Sequence, residues 1–386
     1  MKQLDNPRHI TRRKTSSGLG LVEIMVALAI GLVLMAGVMQ IFLSSKQTNT
    51  AAEDMARMQE SLRFAAEFIA ADIRMAGFMP CRQTDKTVNV LNGTSAVGGD
   101  FFTEGLNGYD GDNTDDDTGS DDRGKVGIAA FAATTDGSYF SNHVVGTDVV
   151  TVLRAGADAF SVVQHVPTAA QFKLDALSTL AKGDIVMVCD FTQATVLQIT
   201  GTNTANVTVV HNTGTSGVVP GNCTKGLGFP KDCSTTNGTS YAYGPDSHLV
   251  KFEAKPYYIG TNASGQRSLY VAGLQRTSAG AVSMASQELV QNIENMQLMY
   301  GLDADGDDNV ERYVRADQVL DVTGATWNDV VAVRLGLLAT TPREVAIDTD
   351  TSTYSLAGST QSPAAADRRQ RYVYNTTIKI RNRGQM

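Results

Sequence analysis

The chain has 386 residues, 42% of them hydrophobic and 19% charged, with a formal net charge of −8. That is too apolar and too weakly charged for a chain disordered throughout. The balance of 40 Asp+Glu against 32 Lys+Arg lacks the basic surface that phosphates require, so no nucleic-acid partner is expected.

The charge is unevenly placed. Lys2, Arg8, Arg12, Arg13 and Lys14 against Asp5 give residues 1–18 a net +4, which leaves −12 on the rest. Leu19–Leu43 follows, 25 residues with Glu23 as the single formal charge. As a helix it would reach about 37 Å, against a hydrocarbon core of about 30 Å. The basic flank predicts that residues 1–18 stay cytoplasmic while the rest crosses the membrane. A cleaved secretory signal peptide calls for a shorter apolar region than this. A plain membrane anchor accounts for everything except Glu23, since a carboxylate inside an apolar span costs roughly a few kcal/mol unless something compensates.

A resemblance accounts for Glu23. The segment Gly18-Leu19-Gly20-Leu21-Val22-Glu23 resembles the processing site of type IV prepilins. The resemblance implies a membrane peptidase that cuts between Gly18 and Leu19, methylates the new N-terminus, and leaves Glu23 as the fifth mature residue. Two features depart from the common pattern: Leu19 stands where Phe is usual, and the leader is long. A carboxylate about one helical turn from the freed amine can neutralise its own amine or a neighbouring subunit's. Glu23 is therefore expected to set register during assembly.

The helical pattern continues. Ala51–Ala76 has no Gly or Pro and is rich in Ala, Met, Glu and Arg, which favour helix. Apolar residues recur at Met55, Met58, Leu62, Ala65, Ile69, Ile73 and Ala76, near helical period, and Phe64 and Phe68 are expected to widen that face. Gly77 and Pro80 mark the stop. The prediction is one helix over 20–76, all apolar in its first half and amphipathic in its second.

Later segments switch to period two. Asp148–Arg154 reads as a strand. Gly183–Asp190, Thr195–Thr200 and Asn206–His211 read as a three-strand meander, and Lys255–Ile259 with Leu269–Leu274 as a hairpin. Val330–Leu338 is another strand. Tyr372–Arg381 alternates, with Tyr372, Tyr374, Thr376, Ile378 and Ile380 on one face. Glu288–Tyr300 fits helix or strand. Residues 91–125, 211–247 and 348–367 read as long loops, either functional or poorly ordered. The fold class is α+β and pilin-like, a long N-terminal stem helix packed on an antiparallel β-sheet head.

The resemblance extends beyond the leader. The blocks ADIRMAGF, GDIVMVCD, ENMQLMYGLDADGD and YNTTIKIRNR are similar to the PilW family of minor pilins. This implies a low-abundance type IV pilus subunit that primes assembly and sits at the filament tip, supporting twitching motility and adhesion. Its implied partners are the prepilin peptidase, other minor pilins, the major pilin, a large tip adhesin, and the inner membrane before assembly. The implied location is a single-pass inner-membrane protein with a periplasmic head, then the pilus tip at the cell surface. The expected organisation is a basic leader (1–18), a stem helix (19–76, with 19–43 in the membrane) and a β-rich head (77–386). A J-type pseudopilin of a type II secretion system shares the leader and stem, though this chain looks large for that group. A membrane-anchored calcium-dependent adhesin is a third reading.

Four cysteines in an exported head suggest two disulfides among three connectivities. Cys223 and Cys233 flank one Gly/Pro-rich loop and are the first choice of pair, which leaves Cys81 with Cys189. Zinc is not expected without CxxC or paired histidines. Asp303, Asp305, Asp307, Asn309 and Glu311 place oxygens at a spacing suited to Ca²⁺, although Asp308 and Val314 depart from an EF-hand loop. The alternative is a solvated acidic turn, and calcium is the one cofactor this spacing suggests. A second acidic run, Asp100–Asp122, reads as a surface loop or a calcium site. The stretch Gly119–Val126 nearly matches a phosphate-binding loop, but Val126 replaces the hydroxyl residue and Asp121 and Asp122 would repel phosphate. No HExxH, GxSxG or Cys/His signature is present, so no catalytic residues and no enzyme are expected.

Overall fold

The computed structural model describes residues 20–81, 86–92, 105–111, 142–176, 179–214, 217–276 and 282–382. It divides into two compact units, Met1–Glu53 and Asp54–Met386. Helix α1 spans Leu21–Arg74 and contributes to both. It ends where the sequence predicts: Gly77 adopts φ +70°, a left-handed conformation that glycine takes without a Cβ clash, and its N–H donates to the Leu153 carbonyl at 2.9 Å.

In the first unit, the large apolar side chains of α1 from Leu21 to Leu43 are all exposed. Among the described residues, α1 is the helix long and apolar enough to cross a membrane. In the second unit, α1 has a buried face of Asp54, Met58, Leu62, Ala65, Ala66, Ile69, Ala70, Asp72 and Ile73. This face shares a core with both sheets of the unit. One is four-stranded, ordered β13 (Arg312–Val314), β12 (Ile293–Leu302), β14 (Val330–Thr340), β17 (Arg371–Lys379). Leu62, Ile69 and Ile73 share one core with Met296, Leu298, Leu335, Leu337, Ile378 and Ile380. Alternate residues of β12 and β14 point to this core, as period-two strands require.

Phe64 and Phe68 do not join that face. They are 46% and 44% exposed and contact each other, ring centroids 4.9 Å apart. The apolar arc read from the sequence is wider than the arc the sheet covers. Met55 is exposed for the same reason.

A larger, eleven-stranded sheet runs β1 (Thr87–Asn89), β6 (Ala194–Gln198), β5 (Ile185–Cys189), β9 (His248–Thr261), β3 (Val149–Val166), β4 (Gln171–Leu174), β8 (Thr208–Val210), β7 (Gly201–Asn203). Also in it are β2 (Leu106–Tyr109) beside β3, β10 (Arg267–Arg276) beside β9, and β11 (Val282–Gln291) beside β10. Every pairing is antiparallel except β1 with β6.

The expected meander is only half present. β5 pairs β6, but β8 pairs β7 and β4, and β6 takes β1 as its second neighbour. The short β7 turns the chain away before β8 can lie beside β6. The ambiguous Glu288–Tyr300 is strand on both sides of Asn292, whose φ of +62° moves the chain from β11 in one sheet to β12 in the other. Asn tolerates that conformation better than most residues. A two-stranded ribbon, β15 (Tyr354–Leu356) and β16 (Ser359–Gln361), completes the fold. It approaches β14 so closely that a Cβ on Gly336 would lie 2.5 Å from the Ala357 nitrogen.

Candidate functional site

Glu23 lies in the first turn of α1, and its Oε2 accepts a hydrogen bond from the Gly20 N–H at 3.2 Å. A carboxylate here faces backbone N–H groups left without intrahelical partners and the positive end of the helix dipole. Gly18 and Leu19 lie outside the described residues. So do the near-match at Gly119–Val126 and the acidic run from Asp100, apart from Gly105–Gly111.

Three polar anchors hold the second unit together. Asp54, 1% exposed, receives both arms of the Arg343 guanidinium, Nη2 to Oδ1 at 2.6 Å and Nε to Oδ2 at 2.9 Å. Near the end of α1, Asp72 accepts from the Tyr257 hydroxyl at 2.5 Å and pairs with Arg154 at 3.1 Å and Lys255 at 3.2 Å. Burial and the Asp72 charge push the Tyr257 phenol well above its ordinary value. Arg371, at the start of β17, is buried among Glu294, Asp350 and Asp367 at 2.7, 3.1 and 3.0 Å. The sequence alone gave none of these residues a role in an ion pair. Asp54 and Asp72 on the core side of an amphipathic helix were the available signal, since a carboxylate there requires a cation.

The structure joins Cys81 to Cys189 and Cys223 to Cys233, with Cα separations of 5.9 and 5.4 Å. The first bridge ties the segment after α1 to the end of β5. The second closes a loop beside the β5–β6 turn, where the Gln193 amide and the Thr195 hydroxyl both donate to the Leu227 carbonyl at 2.7 Å.

The acidic loop after β12 gathers Asp303, Asp305, Asp307 and Glu311. One oxygen from each lies within 4.8 Å of the others. Asp303 is buried and organises the turn: its Oδ1 accepts from the Gly306 and Asp307 N–H groups and its Oδ2 from Asp308. Glu311 accepts from the Ala304 N–H at 2.7 Å. Asn309 turns its amide to Asp307 at 2.9 Å. The Asp307 charge raises the Asp305 carboxyl, and the Asn309 hydrogen bonds lower that of Asp307. Such a cluster of hard oxygens can hold a metal ion.

Two buried histidines lie side by side. Tyr243 N–H donates to His165 Nδ1 at 3.1 Å, so His165 Nε2 carries the proton and donates to His211 Nε2 at 3.2 Å. Burial lowers the pair to about 4 and about 3, which keeps both rings neutral.

Comparison with known proteins bears on the two ends of this architecture. Residues 13–39 match the prokaryotic N-terminal methylation motif, and residues 256–382, from β9 to just past β17, match the type IV pilus-assembly protein W family. The chain is thus similar to prepilins at its N-terminus and to the PilW family over its C-terminal third. No curated protein matches it. Among solved structures, the type IV-like pilin TTHA1219 from Thermus thermophilus aligns at 16% identity, covering 35% of this chain and 70% of its own, with a TM-score of 0.22. The PilW-matched region contains the four-stranded sheet, the acidic loop and Arg371.

Proposed function

We propose that this chain is a minor pilin, a structural subunit and not an enzyme, that primes a type IV pilus and sits at its tip, where it supports twitching motility and adhesion. Residues 1–18 are the leader, 19–76 the stem with 19–43 in the membrane, and 77–386 the head. Prepilin peptidase cuts between Gly18 and Leu19 and methylates Leu19, and Glu23 sets register with a subunit amine. The head faces the periplasm before assembly and the cell surface after it. It contacts other minor pilins, the major pilin and a large tip adhesin. The loop of Asp303, Asp305, Asp307, Asn309 and Glu311 takes Ca²⁺, with further oxygens from backbone or water completing the six to eight that the ion needs.

The observation that carries this reading is a prepilin-type segment continuous with an apolar helix whose large side chains from Leu21 to Leu43 are all exposed. Such a surface needs lipid before assembly and other helices after it. Mass spectrometry of the mature N-terminus, paired with fractionation of sheared filaments, tests it. The expected result is methylated Leu19 in the pilus fraction. An intact Met1 would sink the prepilin reading, and confinement to membranes would sink the filament. A deletion strain that secretes normally but fails to twitch separates the pilus from a secretion pseudopilus.

A further inference from the structure

β17 is an edge strand. Its partner is β14, and its register is regular from Arg371 to Lys379. Just beyond it, Ile380 N–H donates to the Val331 carbonyl at 2.9 Å, so residues of even number turn their backbone groups toward β14. Val373, Asn375, Thr377 and Lys379 therefore turn theirs outward. Among the described residues no backbone or side-chain group pairs with these outward N–H and C=O groups.

Open edges are usually blunted, because unpaired strand groups template another chain. This molecule blunts three of its edges: β1, β7 and β13 are three residues each. β17 has nine, with no proline and no bulge. β11 is the other long edge. β17 differs in what lies at its end. Arg381 N–H, on the outward register, donates to the Arg74 carbonyl at 3.1 Å, which brings the last turn of α1 to the open side. Arg74 and Arg381 are both exposed and have no acidic partner among the described residues. Lys379 is turned elsewhere, toward the Asp308 carbonyl. Two exposed arginines thus stand at one end of this ladder, on a chain that is acidic as a whole.

We infer that the β17 edge is a docking strand for an extended, acidic segment of a partner protein, added to the four-stranded sheet as a fifth strand. Main-chain hydrogen bonds to residues 373–379 supply the affinity, as in other strand additions. Carboxylates opposite Arg74 and Arg381 set which partner binds and in which direction. The inference rests on the sheet edge and does not depend on the tip position proposed above.

The test uses the full chain in detergent and two capped nonapeptides. One is Glu-Asp-Glu-Thr-Val-Thr-Val-Thr-Val; in the other, Lys-Arg-Lys replaces the acidic triplet. The triplet leads because an antiparallel strand would place its N-terminus beside Arg381. Binding is followed by calorimetry and by amide hydrogen exchange. The acidic peptide is expected to bind and to slow exchange at Val373, Asn375 and Thr377. The double variant R74E/R381E is expected to weaken the acidic peptide about tenfold and to favour the basic one, as charge reversal at an interface rim does. Thr377→Pro removes one outward N–H while leaving the β14 ladder intact, and it should abolish both effects. Protection elsewhere than β17 would overturn the inference. So would equal binding of the two peptides, or affinities unmoved in R74E/R381E. Hydrogen exchange of β14 in each variant verifies that the sheet is folded.

Discussion

The two halves of α1 share helical propensity and differ in everything that decides solvent. From Leu21 to Leu43 apolar side chains point in all directions, and those of large size are all exposed. From Asp54 to Arg74 the helix has two faces, one sealed against a sheet and one carrying Arg63, Glu67 and the Phe64–Phe68 pair. A helix apolar all round requires an apolar surrounding, whereas an amphipathic one requires a single covered face. Stability of the second unit should therefore answer to one half of the helix and ignore the other.

The sharpest way to break that comparison is paired truncation. Ile69→Ala should destabilise the second unit by about 2–5 kcal/mol, because it opens a cavity in a fully buried core. Leu28→Ala should leave its unfolding unchanged. Denaturant unfolding of the full chain in detergent reads both, and a comparable loss from Leu28→Ala would mean that the halves are not energetically separate.

Next in size is Arg343→Ala. It strands the buried Asp54 carboxylate without its bidentate partner, at a cost of about 2–3 kcal/mol. Arg343 is itself largely exposed, which holds the figure below that of a fully buried pair. Arg343→Lys should recover only part of the loss, since an ammonium cannot reproduce the fork. Full recovery would show that charge alone matters there.

Asp148 offers a pH-dependent test. It is buried, and its oxygens accept from the Gly111 and Leu298 N–H groups at 3.0 and 2.7 Å. Burial, with the Asp110 charge nearby, raises it to about 8 from 3.8. The folded state then holds the proton more tightly than the unfolded one. Its contribution is most favourable below about pH 4, declines between about pH 4 and pH 8, and is level above, with a slope of at most about 1.4 kcal/mol per pH unit. Asp148→Asn should remove that slope. Parallel stability profiles for variant and wild type would refute the assignment.

The smallest effect belongs to the exposed ring pair. Phe64→Ala or Phe68→Ala should cost only about 0.5 kcal/mol, the worth of a solvent-facing contact. A loss above about 3 kcal/mol, typical of a buried aromatic, would return them to the core.

Much of this molecule was legible in sequence because its signals are local. A helix over 20–76 follows from unbroken propensity and the Gly77 stop, and the observed α1 differs by a residue or two at each end. The β9–β10 hairpin and the alternation of β17 were equally readable. The readings that failed required knowledge of what lies opposite. Phe64 sits one position from buried Ala65, about 100° around the helix, and no periodicity says where the covering sheet stops. The β8 strand was found, but its neighbours were not, because pairing is a contact between distant segments. Asp54 and Arg343 are separated by 289 positions, so neither residue names the other.

The sequence by itself determined which parts of the chain suit lipid and which suit water, since that depends on composition along a single helix. It also determined the N-terminal motif, which matches as a linear string of residues. Only the tertiary structure decided which face of α1 is sealed, which carboxylates are buried with cations, and that the β17 edge lies open beside Arg74 and Arg381. Those outcomes depend on which surfaces meet, and burial and pairing energies exist only once distant residues are brought into contact.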